Sequence, residues 1–221
     1  MQRTTQKQTM LASLLAVLLL AGQAPAVAQE INLNARLMIA AKQDDTVRLG
    51  NLIAEGANVN SRTRAGDTPL NLAARKGNLA MARLLVDHAA DLELGNAAQV
   101  TPLMSAAYEG HADIVRLLIQ HGAKVDARDQ LGKSAMVYAA GNGHVEAVNA
   151  LLDGGANVDG VYENGLTALM WAAGEGYPEV VRLLLARHAN TALRDNRGLT
   201  ALDIAERAGK TEVATLLAAH S

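Results

Sequence analysis

The sequence repeats itself every 33 residues, and this period constrains the fold more than any other feature of the chain. In every copy a leucine or methionine follows two positions after a small hydroxyl residue, an alanine five positions after it and a glycine nine positions after it. Copies in register, without insertion or deletion, predict a stack of similar units that bury their apolar sides against one another. The hydroxyl residues are Thr68, Thr101, Ser134, Thr167 and Thr200.

The pattern inside each repeat predicts two helices joined by a tight turn. The hydroxyl residue directly precedes an alanine-rich run, where its oxygen can accept a free backbone N–H at a helix N-terminus. Pro69 and Pro102 come next, at the first helical position, where proline costs no hydrogen bond. The recurring leucine and alanines share one helical face, and the recurring glycine can adopt the left-handed conformation that ends a helix. A second apolar run and a loop complete the repeat.

The recurring motifs match those of a known repeat family. They are Gly66-Asp67-Thr68-Pro69-Leu70, the paired alanines, Gly110-His111, Gly143-His144 and Gly122-Ala123. Together they resemble the ankyrin repeat, from about residue 31 to the C-terminus. The resemblance implies an all-α repeat solenoid, an ankyrin stack of helix–turn–helix units with β-hairpin loops. Five repeats start near residues 65, 98, 131, 164 and 197, and a degenerate N-terminal cap covers about 31–63.

The first thirty residues have the composition of an export signal. Arg3 and Lys7 precede an apolar run at residues 11–21, and Ala26-Val27-Ala28 supplies small residues where a signal peptidase reads them. The sequence therefore predicts a cleavable signal peptide at residues 1–28 and a repeat domain at residues 29–221. An uncleaved membrane anchor is the alternative, but the run is shorter than the roughly 20 residues that span a bilayer. The expected location is the bacterial periplasm, with secretion from the cell as the alternative.

Composition and motifs give no indication of catalysis. The chain has no cysteine, which excludes disulfides, thiolate metal sites and a thiol nucleophile. Its formal net charge of −2 does not suggest electrostatic capture of nucleic acid. His111 and His144 occupy a position that ankyrin repeats often use for structural hydrogen bonds. We expect a monomer that is not an enzyme, binds no cofactor, metal or nucleic acid, and does not associate with a membrane after cleavage.

The resemblance also implies where a partner is held, namely at the hairpin tips and the exposed side of the first helices, the concave face. The position after the motif leucine, usually histidine in ankyrin repeats, is Met104, Val137 and Met170 in the middle repeats. These residues predict an apolar patch with a charged rim, a composition suited to protein binding. Packing between repeats is the alternative role for the methionines and the tryptophan. The predicted partner-binding residues are Val100, Met104, Tyr108, Val137, Leu166, Met170 and Trp171.

The leading hypothesis is a periplasmic, non-catalytic module that holds a partner protein through its concave face and hairpin tips. A secreted effector that binds a host protein is the second hypothesis, since both would carry the same signal peptide. An enzyme is disfavoured, because the repeat pattern accounts for the recognisable residues.

Overall fold

The computed structural model describes residues 32–220, so the predicted signal peptide lies outside the described residues. These residues form six pairs of α-helices. The first helices of the pairs are α1 (residues 32–43), α3 (Pro69–Lys76), α5 (Pro102–Glu109), α7 (Ala135–Gly141), α9 (Ala168–Glu175) and α11 (Ala201–Arg207). The second helices are α2 (Thr46–Ala54), α4 (Leu79–Asp87), α6 (Ala112–Gln120), α8 (Val145–Asp153), α10 (Pro178–Ala186) and α12 (Thr211–Ala218).

The helices stack in two layers. Helices α3, α5, α7, α9 and α11 contact one another in sequence and form the inner layer, whereas α4, α6, α8, α10 and α12 form the outer layer. Small residues allow this close stacking, since paired alanines such as Ala106 and Ala107 are fully buried between neighbouring helices. Each repeat therefore packs mainly on the repeats before and after it, which confirms the predicted solenoid.

Hydroxyl caps begin the inner helices, as the sequence predicts. In α3, α5, α7, α9 and α11 the hydroxyl oxygen of the preceding Thr or Ser accepts a hydrogen bond from the backbone N–H three residues later. In α3 the cap is reciprocal, because the Asn71 side chain also accepts from the backbone N–H of Thr68. Pro69 and Pro102 occupy the first helical turn without loss of a hydrogen bond.

A glycine ends α3 and α5, and a histidine ring from the next repeat covers each one. Gly110 has a φ of 80°, and a Cβ atom there would lie 2.5 Å from Nδ1 of His144. The same ring is within 2.8 Å of the Tyr108 carbonyl oxygen through its Nε2. His111 approaches the Arg75 carbonyl oxygen at 3.3 Å in the preceding repeat. These contacts confirm the structural role predicted for both histidines.

The loops between repeats are hairpin-shaped turns rather than β-strands. One backbone hydrogen bond joins the two ends of each loop, such as that from the Asn96 N–H to the Val100 carbonyl at 3.1 Å. A second bond lies within the turn, such as that from the Gln99 N–H to the Asn96 carbonyl at 2.9 Å. Neighbouring loops are joined by single bonds, such as the 2.9 Å bond from the Ala97 N–H to the Ala65 carbonyl. A single bond between the two ends of a loop does not make a ladder, so the predicted β-hairpin loops contain no strand within residues 32–220.

No helix of residues 32–220 is both long enough and apolar enough to cross a bilayer.

Candidate functional site

The inner face of the middle repeats displays an aromatic row, which we define as Tyr108, Tyr138 and Trp171. The rings of Tyr108 and Tyr138 meet edge to face with their centroids 5.6 Å apart. The Lys133 ammonium lies 5.7 Å from the ring centre of Tyr138 and 5.1 Å from that of Trp171, within cation–π range of both. Trp171 packs beside Gly141, where a Cβ atom would lie 3.7 Å from the indole ring. The row therefore runs across three repeats with a cation between its last two members.

Asp129 holds the middle of this row in place. Its carboxylate is buried and accepts hydrogen bonds from the backbone N–H groups of Leu131 and Lys133 at 2.8 and 2.9 Å. The Tyr138 hydroxyl donates to its other oxygen at 2.5 Å. One buried side chain thus fixes both the hairpin that carries Lys133 and the ring beneath it. Such support pre-organises a surface and lowers the entropy lost on binding.

Alkaline pH is expected to destabilise the protein through the half-buried phenol of Tyr138. Burial, the hydrogen bond to Asp129 and the charge of Asp129 raise the pKa of Tyr138 well above its ordinary value of about 10. The unfolded chain then loses its phenolic protons first, so stability is retained below about pH 10 and falls as the pH rises further. Urea denaturation at increasing pH should show this decline, and Tyr138→Phe should make it shallower. An equal decline in both proteins would contradict the assignment.

A small pocket adjoins the aromatic row. It has a volume of about 230 Å³ and lies between the first helices of the second, third and fourth helical pairs. Tyr108, which is 48% exposed, and Tyr138 form one wall, and Val100 contributes an apolar side. Arg75 and Glu109 lie at its polar edge. An apolar side chain of a partner would contact the aromatic rings on one side of the pocket, with charged side chains at the rim.

The structure corrects three of the predicted partner-binding residues. Met104, Val137 and Met170 are 1, 2 and 3% exposed, so the expectation that they form a displayed apolar stripe is wrong. They belong to the hydrophobic core, which agrees with the alternative role of packing between repeats. The reason is geometric, because each of these residues is the third residue of its helix. Its backbone N–H donates to the capping hydroxyl, and its side chain therefore lies beneath the hairpin.

The other four predicted residues do reach the inner surface to different extents. Tyr108 is exposed, whereas Val100, Leu166 and Trp171 are half-buried at the bases of hairpins or on α9. The structure brings Tyr108 and Val100 together in one pocket. It places Trp171 farther along the row, across Tyr138 and Lys133. Tyr138 was absent from the predicted set, although its repeat column also holds Trp171, a signal that the two share one face.

A second feature of the inner face was also missed, and we call it the basic groove. It is about 770 Å³ in volume and lies between α1, the first hairpin and α3. Its rim contains more basic than acidic side chains, with Asp67 the only carboxylate among its lining residues. The sequence signal was weak because α1 belongs to the degenerate first repeat, where the family motif is lost. The basic lining residues are Lys42, Arg62, Arg64, Arg75 and Lys76.

Within residues 32–220 no group of three or more histidine, aspartate or glutamate side chains is placed to hold a metal ion. His88 and His220 each direct Nδ1 to a carbonyl oxygen in the preceding turn of their own helices, at 2.8 Å in both cases. These side chains therefore have local structural partners.

The stacked helical pairs, hairpin turns and open inner face define a repeat solenoid whose exposed surface is suited to protein recognition. The family model for ankyrin repeats, in three copies, matches residues 37–129 and 136–221. The chain therefore belongs to the ankyrin-repeat family, whose repeats generally mediate interactions between proteins.

A solved structure shows the same architecture. The chain is similar to the crystal structure of EF0377, an ankyrin repeat protein, with a TM-score of 0.78 and 32% sequence identity. The match covers 84% of this chain and 97% of that one. A search of curated proteins found no match.

Proposed function

We propose that this protein is an exported, non-catalytic binding module that holds a partner protein against its inner face. The observation that carries the proposal is the aromatic row beside an open pocket, held on rigid helices by the buried Asp129. Tyrosine and tryptophan are frequent anchors at protein interfaces because they combine large apolar area with few rotatable bonds. Lys133 adds a charge between the rings, which favours a partner with polar groups next to its apolar ones.

The family supports a binding role over a catalytic one. Ankyrin repeats are typically binding modules, and the rings of His111 and His144 are occupied by contacts within the stack. The exposed aromatic groups offer area and shape rather than a nucleophile or a general base. Binding therefore accounts for the inner face with fewer assumptions than catalysis does.

The proposed location is the periplasm, and it rests on the sequence of residues 1–28. Secretion from the cell, with a host protein as partner, is the alternative because the same signal would serve it. Expression of the full chain, followed by osmotic-shock fractionation and intact mass measurement, tests both statements. A periplasmic product that begins at Gln29 supports the proposal. A full-length product in the membrane fraction would favour the uncleaved anchor instead.

Site-specific photo-crosslinking tests the binding surface. A benzophenone amino acid at Tyr108 reports on the inner face, and the same group at Arg116 on the outer helix α6 serves as the matched control. We expect a partner to be linked in cells from the position of Tyr108 and not from that of Arg116. Purified partner should then bind the wild-type protein at least about tenfold more tightly than Tyr108→Ala. Linkage from Arg116 alone would place the interface on the outer layer and refute the proposal.

A further inference from the structure

The basic groove carries a charge that the rest of the molecule does not share. Five basic side chains line it against one carboxylate, whereas the whole chain has a formal net charge of −2. The one carboxylate, Asp67, is already engaged, since it lies 3.8 Å from Arg75 and accepts a hydrogen bond from Asn96 at 3.4 Å. The groove is thus a local positive region on a negatively charged protein, which favours an acidic occupant.

Three of the five cations have partners within the fold and two are available. Lys76 donates to the backbone carbonyl oxygen of Lys42, and Arg75 faces Asp67. Arg62 donates to the backbone carbonyl oxygens of Gly66 and Gly95 and so ties two hairpins together. The side chains of Lys42 and Arg64 are exposed and form no salt bridge within residues 32–220. These two side chains can meet a carboxylate without breaking a contact that holds the fold.

The floor of the groove is apolar, which distinguishes it from a simple anion site. Leu72 and Met38 are buried at the floor, and Ile39 is 45% exposed beside them. A small inorganic anion would leave this apolar surface uncovered. A peptide that carries both carboxylates and aliphatic side chains would cover the floor and satisfy the rim together.

The groove continues into the pocket of the aromatic row through Arg75, which lines both. Helices α3 and α5 pack directly on each other, and packed helices are separated by roughly 8–10 Å. An extended chain advances about 3.3 Å per residue. A strand lying along the inner face therefore moves from the groove to the pocket in about three residues.

We infer that the partner presents an extended acidic segment, with its carboxylates in the basic groove and an apolar anchor about three residues away in the pocket beside Tyr108. The inference rests on the proposed function and adds the chemistry of the partner to it. The rim of the groove recognises the carboxylates, the aromatic wall recognises the anchor, and their spacing sets the register of the segment.

Fluorescence anisotropy with synthetic peptides tests this inference on the protein purified after expression of the full chain. The probe is a labelled peptide with four acidic residues, two spacer residues and then leucine and tyrosine. One comparison peptide replaces the acids with glutamine and asparagine, and another replaces leucine and tyrosine with glycine and serine. A single-stranded oligonucleotide of equal charge distinguishes a nucleic acid from an acidic protein. Sedimentation equilibrium of the protein alone reports whether the groove binds a second copy.

The deciding variant is the double charge reversal Lys42→Glu/Arg64→Glu. Its matched control is Arg83→Glu/Arg116→Glu, which makes the same change in net charge on the exposed side of α4 and α6. We expect the acidic peptide to bind at least about tenfold more weakly to the groove variant and within about twofold of wild type to the control. Binding should weaken as salt rises from about 50 mM to about 300 mM, because exposed ion pairs are screened. Tyr108→Ala should weaken only peptides that carry the anchor.

Equal losses in both double variants would mean a general charge effect and would overturn the inference. So would equal binding of the neutral peptide, tighter binding of the oligonucleotide, or a dimer that the groove variant dissociates. If a partner is crosslinked at Tyr108 while no acidic peptide binds, the proposed function stands and the acidic chemistry is wrong. If neither occurs, both are wrong.

Discussion

Leu118→Ala is expected to lower the free energy of unfolding by about 3 kcal/mol. Leu118 lies in α6, has no exposed surface, and α6 is packed between α4 and α8. Truncation removes apolar surface and leaves a cavity that the stacked helices can only partly close. Urea denaturation followed by far-UV circular dichroism measures the loss. The effect is large because the mutation loosens a middle repeat, on which neighbours on both sides depend.

Leu131→Ala is the matched control for this prediction. It deletes the same atoms from a hairpin tip, where Leu131 is 60% exposed. Its effect should remain within about 0.5 kcal/mol, as for most surface substitutions. Comparable losses in the two variants would show that α6 is not buried as described.

Gly110→Ala is expected to cost about 2–3 kcal/mol, from two separate causes. Gly110 has a φ of 80°, and an L side chain in this left-handed region costs about 1–2 kcal/mol. The new Cβ would also lie 2.5 Å from the His144 ring. Displacing that ring weakens its 2.8 Å contact with the Tyr108 carbonyl, worth about 1 kcal/mol. The same denaturation experiment measures the sum.

Gly122→Ala separates the cost of the left-handed backbone conformation from the cost of the steric clash with the His144 ring. Gly122 has a φ of 91°, but a Cβ atom there would meet nothing within 4 Å. This variant should lose only the cost of the left-handed conformation, about 1–2 kcal/mol. In the double variant Gly110→Ala/His144→Ala, the alanine at Gly110 should add less to the loss than it does alone, because the ring is gone. If Gly110→Ala and Gly122→Ala cost the same, the His144 ring is not packed over Gly110.

The helical repeat was predictable because each local signal agreed with the others. Thr101 caps α5, Pro102 occupies its first turn and Gly110 ends it, as the 33-residue pattern indicates. The β-hairpin loops were carried over from the family, and within residues 32–220 they are hairpin-shaped turns without strands. Single bonds such as that from the Asn96 N–H to the Val100 carbonyl do not extend into a ladder, and sequence pattern does not report the length of a ladder.

The candidate site was only partly predictable, because periodicity assigns a residue to a helix but not to a depth. Met104 and Tyr108 lie four positions apart on α5, and the first is 1% exposed while the second is 48% exposed. The hairpin above α5 and the neighbouring helices cover one and leave the other open. The basic groove was missed for a related reason, since its members come from α1, a hairpin and α3.

Local sequence patterns were sufficient to predict the repeats, the positions of the helices and their caps, and the apolar sides that bury the stack. These properties depend on residues close together in the chain, where hydrogen bonding and backbone conformation are local. Which side chains share the inner face depends instead on how the repeats pack together. The contacts of Tyr108 with Tyr138 and of Lys133 with Trp171 join different repeats. Such contacts depend on how neighbouring units rotate against each other, and this rotation is set by packing rather than by any local motif.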